Sequence, residues 1–238
     1  MTIQIDVGPR VGSVSALLEI PTDPKALFVF AHGAGAGMRH AFMEAVVQRL
    51  RERGVGTLRY QFPYMEKRAG RPDPPGVLTA TVRAACRLAA ERASGVPLFA
   101  GGKSMGGRMT SLAASEREGP EANGGSADPL AGARGLVFFG FPLHPAGRPS
   151  IDRAAHLDTA DLPMLFLQGT RDALADLALL RPVCERLGRR TALHIVDGAD
   201  HSFHVKKSTG RTDDDVLNEL ADVTVEWMGR AGAARPSV

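Results

Sequence analysis

The stretch VPLFAGGKSMGGRMTSLAASERE, residues 96–118, decides how the rest of the chain is read. Its first seven residues are apolar or small and end on two glycines, the pattern of a buried strand. From Met105 onward the spacing is helical. Between them stands Gly102-Lys103-Ser104-Met105-Gly106, a G-x-S-x-G motif on a strand-to-helix turn. A serine on so tight a turn needs small residues two before and two after it, to clear the preceding strand and the following helix. The N-terminus of that helix offers free backbone N–H groups and positive dipole where negative charge would develop.

Working outward, the same alternation recurs. ALFVFA (26–31), VGTLRY (55–60), GLVFFGF (135–141), PMLFLQG (163–169) and TALHIV (191–196) read as buried strands, and SVSALLEI (13–20) as an early one. Helical patterns occupy 41–54, 77–93, 105–118, 176–187 and 213–228. Residues 119–135 are a loop by composition. Strand and helix in this rhythm predict one α/β domain over 1–238, its core spanning about 13–229 with a frayed tail at 230–238. The sheet is mostly parallel and covered on both faces. Ligands of such sheets sit beyond the C-terminal strand ends.

Two further strand ends carry chemistry that a serine nucleophile requires. Gly169-Thr170-Arg171-Asp172 follows one strand and Asp197-Gly198-Ala199-Asp200-His201-Ser202-Phe203 another. A hydroxyl needs a base, and an imidazole base needs a partner to fix its tautomer. His201 and Asp172 supply these, in the chain order Ser, Asp, His. Asp176 reads better as a helix cap than as the acid, and His204 as a neighbour of the base. An ordinary helix N-cap at Ser104 leaves its two flanking glycines unexplained. Asp200 reads as a turn-former, His194 as a packed strand residue, Cys86 and Cys184 as helix-face core, and His40, His144 and His156 as surface or lid positions.

The stretches FVFAHGAGAG, LRYQFPYME, LFAGGKSMGGRMTS, LFLQGTRD and GADHSF resemble the α/β-hydrolase superfamily. They resemble in particular its small, lid-poor branch near dienelactone hydrolases and the compact hydrolases related to testis-expressed and KANL-type proteins. The resemblance implies an α/β-hydrolase fold with about eight mostly parallel strands. It implies Ser104 as nucleophile, Asp172 as acid and His201 as base, with an oxyanion hole from the N–H groups of Met105 and Ala34. It implies a carboxylesterase-like serine hydrolase with no metal and no cofactor. Dienelactone hydrolases usually carry cysteine at the nucleophile, where this chain has Ser104, which counts against a dienelactone substrate. His32, Gly33, Gly35, Tyr64, Phe141 and His144 lie after strand ends and are candidates for lining a substrate pocket.

Other chemistries fit less well. The glycines at 33, 35 and 37 miss the G-x-G-x-x-G spacing, and Arg59 stands where a dinucleotide site wants an acid. A P-loop ending in Gly102-Lys103-Ser104 would need glycine at 97, which is Pro97. The chain has 29 basic and 26 acidic residues, with no basic cluster and only 5% aromatics. Nucleic acid is therefore not an expected partner. No apolar run approaches a membrane span, and MTIQIDVGPR lacks a signal-peptide pattern. Two cysteines make no disulfide framework, so a cytoplasmic compartment is expected. About twenty residues between 141 and 163 leave little room for a helical lid, which predicts an open pocket for a small or extended acyl substrate. The same triad also serves thioesterases and peptidases, a hydrolase fold can act as a scaffold, and association with further copies of the chain is left open.

Overall fold

The structure is a computed structural model and describes residues 1–93, 95–116 and 130–233. Strands β1 (Thr2–Asp6), β2 (Ser13–Glu19) and β3 (Ala26–Ala31) are followed by helix α1 (Ala41–Glu52) and β4 (Val55–Tyr60). A short helix α2 (Pro63–Glu66) leads to α3 (Pro75–Arg92), β5 (Leu98–Lys103) and α4 (Met105–Ser115). The chain continues through β6 (Leu136–Phe139), β7 (Met164–Gly169), α5 (Leu177–Leu187), β8 (Thr191–Val196) and α6 (Asp213–Ala233). The eight strands form one sheet in the order β1-β2-β4-β3-β5-β6-β7-β8. The pairs β1–β2 and β2–β4 are antiparallel and the remainder parallel.

The expected fold class is therefore the observed one. β3, β4, β6 and β7 are buried along their whole length, because helices cover both faces. Met43, Val46, Val47 and Leu50 of α1 join Leu220, Trp227 and Met228 of α6 on one face. Leu78 and Val82 of α3, Met109 of α4 and Leu180 of α5 pack on the other. The antiparallel edge strand β1 went unread in the sequence. Its TIQID buries only Ile3 and Ile5, too short an alternation to stand out from a polar terminus. It extends the sheet ahead of residue 13.

Local signals set several helix ends. Asp176 caps α5, its carboxylate accepting from Ala178 N–H. Thr212 and Asp215 cap α6 reciprocally: Thr212 Oγ1 accepts from Asp215 N–H at 3.1 Å, and Asp215 Oδ2 from Thr212 N–H at 2.8 Å. Most of the loop at 119–135, and the tail from 234 onward, lie outside the described residues; residues 230–233 belong to α6. Among the described residues no helix is long and apolar enough to cross a membrane.

Strand order reverses at β3. The chain runs from β3 to β4 on one side and returns to β5 on the other. Such a switch point opens a crevice at the C-terminal strand ends. The loop after β3 and the turn after β5 flank that crevice.

Candidate active site

Ser104 stands between β5 and α4 with φ 51° and ψ −119°, a conformation that costs a non-glycine residue on the order of 1–3 kcal/mol. Packing holds it there. A Cβ on Gly102 would come within 2.5 Å of Ala31 O, and one on Gly106 within 2.5 Å of both Ala31 O and His32 O. Only glycine lets strand and helix approach this closely. Ser104 occupies the N-cap position of α4 but makes no capping hydrogen bond with its side chain. Its hydroxyl is turned to another partner.

That partner is His201, whose Nε2 lies 2.8 Å from Ser104 Oγ. The other ring nitrogen, Nδ1, lies 2.7 Å from Asp172 Oδ2. A carboxylate only accepts, so Nδ1 carries the ring proton and Nε2 is left to accept from the serine hydroxyl. Asp172 is held from three sides. Its Oδ2 also accepts from Gln168 Nε2 at 2.5 Å, and its Oδ1 from Leu174 N–H at 2.8 Å. Its side chain is 1% exposed, against 25% for His201. The carboxylate is thus buried with both oxygens hydrogen-bonded, while the imidazole edge reaches the pocket.

The loop carrying His201 is built by Asp200, whose Oδ1 accepts from Ser202 N–H at 2.8 Å and His204 N–H at 3.0 Å. Asp200 is thus the turn-former its sequence position suggests. His204 is exposed and bonded to Asp213 Oδ2 at 2.8 Å, which raises its pKa. It points away from Ser104 and does not compete for the role of base. Phe203, buried at φ 64°, stacks on Phe42 of α1 with centroids 5.8 Å apart.

Met105 is the first residue of α4, and Ala34 lies in the loop after β3, where Gly33 approaches the Ser104 Cβ. Neither the Met105 nor the Ala34 N–H donates to another described residue. Both are available to an oxygen at the serine. A cavity of about 320 Å³ opens here, lined by Gly33, Ala34, His40, Phe42, Met43 and Leu174, with Lys103, Ser104 and His201 at its floor.

Five of the six candidate pocket residues lie outside that lining, four of them with buried side chains. His32 is fully buried, its Nε2 accepting from Phe62 N–H at 3.0 Å and its Nδ1 donating to Gly33 O at 2.8 Å. Burial lowers its pKa from 6.5 to about 4, so it stays neutral and shapes the loop. Tyr64 is buried against Phe62 and close to His32. Phe141 packs into the core on Phe138 and Phe166. His144 is buried, and its Nε2 accepts from Asp176 N–H at 2.9 Å, supporting the start of α5. Each follows a strand end, but its side chain turns inward to fill the layer beneath the crevice. Gly35 is exposed outside the cavity lining, whereas Gly33 lines it.

Other expectations also shift. His156 is half-buried, not solvated: its Nε2 sits 2.8 Å from Ser111 Oγ on α4, and burial lowers its pKa to about 4. It belongs to a 3-10 turn (Asp152–Asp158) in the segment between β6 and β7, packed on α4 and not over the serine. His194 is only half-buried and pairs with Glu219 at 2.6 Å. Cys86 and Cys184 are buried, and neither is in a disulfide. Arg59 is buried and ion-paired with Glu19 and Glu44, and donates to Met38 O, a structural use that leaves no fork for a phosphate. Lys103 is part-buried, with its Nζ donating to the backbone carbonyl of His201. Gln168, which orients Asp172, was not singled out from sequence, although it ends a buried strand four residues before the acid, where a polar residue is otherwise out of place.

The sequence profile of a family described as alpha/beta hydrolase domain matches residues 24–229. Among solved structures, a dienelactone hydrolase from Anabaena variabilis superposes with a TM-score of 0.74 at 20% identity, covering 97% of this chain and 96% of that one. A serine hydrolase without a lid from Xanthomonas campestris gives a TM-score of 0.69 at 20% identity, covering 95% and 94%. The esterase Est1E from Butyrivibrio proteoclasticus gives 0.68 at 18% identity, covering 98% and 99%. At these identities the likeness is one of fold.

Proposed function

We propose that this chain, which belongs to the alpha/beta-hydrolase family, is a serine carboxylesterase that cleaves a small uncharged ester through Ser104, His201 and Asp172. The observation that carries the proposal is the 2.8 Å contact between Ser104 Oγ and His201 Nε2 at the strained head of α4. Ser104 Oγ attacks the acyl carbonyl while His201 Nε2 takes its proton. Asp172 holds the imidazolium that forms. The carbonyl oxygen becomes an oxyanion between the Met105 and Ala34 N–H groups; one such donor is typically worth about 3–4 kcal/mol of barrier. The alkoxide leaves with the proton from Nε2, giving an acyl-enzyme. Water, deprotonated by His201, then releases the acid and restores Ser104.

The cavity supports the substrate class. At about 320 Å³ it stands near the lower end of small-molecule sites. Its walls are Ala34, Phe42, Met43 and Leu174, which suits a short apolar acyl or alkoxy group. Lys103 is the basic side chain in that lining, and its Nζ is engaged by the His201 carbonyl at 2.6 Å, which favours an uncharged substrate over an anionic one. Two separate buried thiols fit a reducing, cytoplasmic setting.

A panel of p-nitrophenyl esters from acetate to palmitate, run beside a matched thioester and a peptide anilide, tests this reading. Highest kcat/KM on a short ester is the expected result. Preference for palmitate or triolein, or for the thioester or anilide, overturns it.

A further inference from the structure

Lys103 fills the variable position before the nucleophile, and its side chain runs under Gly33 toward the base. Its Nζ donates to the backbone carbonyl of His201 at 2.6 Å. It sits 5.6 Å from the Phe42 centroid and 5.5 Å from that of Phe203. The same ammonium borders the junction of acid and base. The point where Gly140 would carry a Cβ lies 3.2 Å from Lys103 Nζ, 3.4 Å from Asp172 Oδ2 and 3.4 Å from His201 Nδ1. Gly140 has φ 70°, so the three groups enclose a spot that the backbone leaves empty.

We propose that Lys103 is a positioning residue for the reaction: its ammonium, seated on Phe42 and Phe203, clamps the His201 backbone and so holds the imidazole in line with Asp172 and Ser104. The inference rests on the esterase reading above. A hydrogen bond from a cation is stronger than one from a neutral amine, and the ring faces attract only the charged form. The clamp therefore tightens when Lys103 is protonated. Burial lowers its pKa from 10.5 to about 8, opposed by the charges of Asp172 and Asp200. The charged and titratable groups around it are Asp172 after β7, Asp200 and His201 after β8, and His40, which lines the same cavity at the start of α1. The clamp then loosens in the pH range just above neutrality, on the alkaline side of the activity profile.

The test compares wild type, Lys103→Met and Lys103→Arg, each checked for an unchanged fold by its melting curve. On a short p-nitrophenyl ester, K103M is expected to lose about ten- to hundredfold in kcat, the worth of one charge-assisted hydrogen bond, with KM within about threefold. Wild-type kcat/KM falls above about pH 8, K103M shows no fall in that window, and K103R recovers most of the rate with its fall displaced upward. A K103M profile with the wild-type alkaline fall, or a rate within twofold of wild type, overturns the proposal.

A second readout needs no turnover. The downfield proton on His201 Nδ1, followed by proton NMR, is expected in wild type at pH 7 and broadened in K103M. Identical resonances in both overturn the clamp even if no ester is cleaved. Inactivity of wild type with the resonance difference present overturns the esterase reading alone.

Discussion

Replacing Asp172 by asparagine tests whether the carboxylate acts through the tautomer of His201. Leu174 N–H donates to Oδ1, so the asparagine oxygen takes that position and its NH₂ takes the place of Oδ2. There it faces His201 Nδ1 and the Gln168 side-chain amide, whose Oε1 is buried and has no partner. Turning the Gln168 amide over would let Oε1 accept from the new NH₂. The substitution is thus accommodated with its hydrogen bonds made, but His201 Nδ1 now accepts and Nε2 carries the proton. Nε2 can no longer take the proton of Ser104. The corresponding change in serine proteases lowers kcat about 10⁴-fold, or roughly 5 kcal/mol. The assay is kcat/KM for p-nitrophenyl acetate at pH 7.5 beside the melting temperature. A loss of about 10⁴ with melting changed by only a few degrees is expected. A loss below tenfold would refute the tautomer argument. Asp172→Ala behaves differently: it strands Gln168 Nε2, Leu174 N–H and His201 Nδ1, at about 1–3 kcal/mol for each buried group left unpaired, and destabilises the fold as well.

Three further outcomes follow from particular contacts. Thr212→Ala removes one half of the reciprocal cap of α6, at a cost of about 1 kcal/mol, read as a fall of about 2–4 °C in melting temperature. His32 and His156 are held neutral, with pKa values lowered from 6.5 to about 4. The unfolded chain thus binds more protons than the folded one between those values, so stability falls as pH drops from 6.5 toward 4. For His32 the effect reaches about 3 kcal/mol when complete; His32→Gln should show a shallower loss of urea stability from pH 7 to 5 than wild type, and equal slopes would count against it. Leu174→Ala enlarges the cavity wall and should move the best p-nitrophenyl ester to a longer acyl chain; an unchanged optimum would place the acyl group elsewhere.

The strands that carry the site were legible because each is a mostly apolar run ended by glycine or a turn-former. ALFVFA and VGTLRY stand as expected; TALHIV is a strand, but it lies at the sheet edge and only Val196 is fully buried. Ser104, Asp172 and His201 were legible for a related reason: each immediately follows a strand, and the topology brings those ends together. The pocket wall was less legible. Tyr64, Phe141 and His144 also follow strand ends, but which way a loop side chain turns depends on the space beneath it, and that space belongs to other elements. The wall comes partly from His40, Phe42 and Met43 at the start of α1, where helical periodicity marks the core-facing side without marking the end that overhangs the crevice. The place of Lys103 beside the base is not legible in the sequence, because a lysine is ordinarily solvated. Its enclosure arises from Phe42, about sixty residues before it, and Phe203, a hundred after it.

Reaction of the purified protein with a fluorophosphonate, followed by peptide mapping, tests the central claim most directly. The account predicts one adduct, on Ser104, forming rapidly in wild type, absent from Ser104→Ala and slowed at least a hundredfold in His201→Ala. Folded wild-type protein that forms no adduct, or forms it on Ser104 at the same rate without His201, would contradict it.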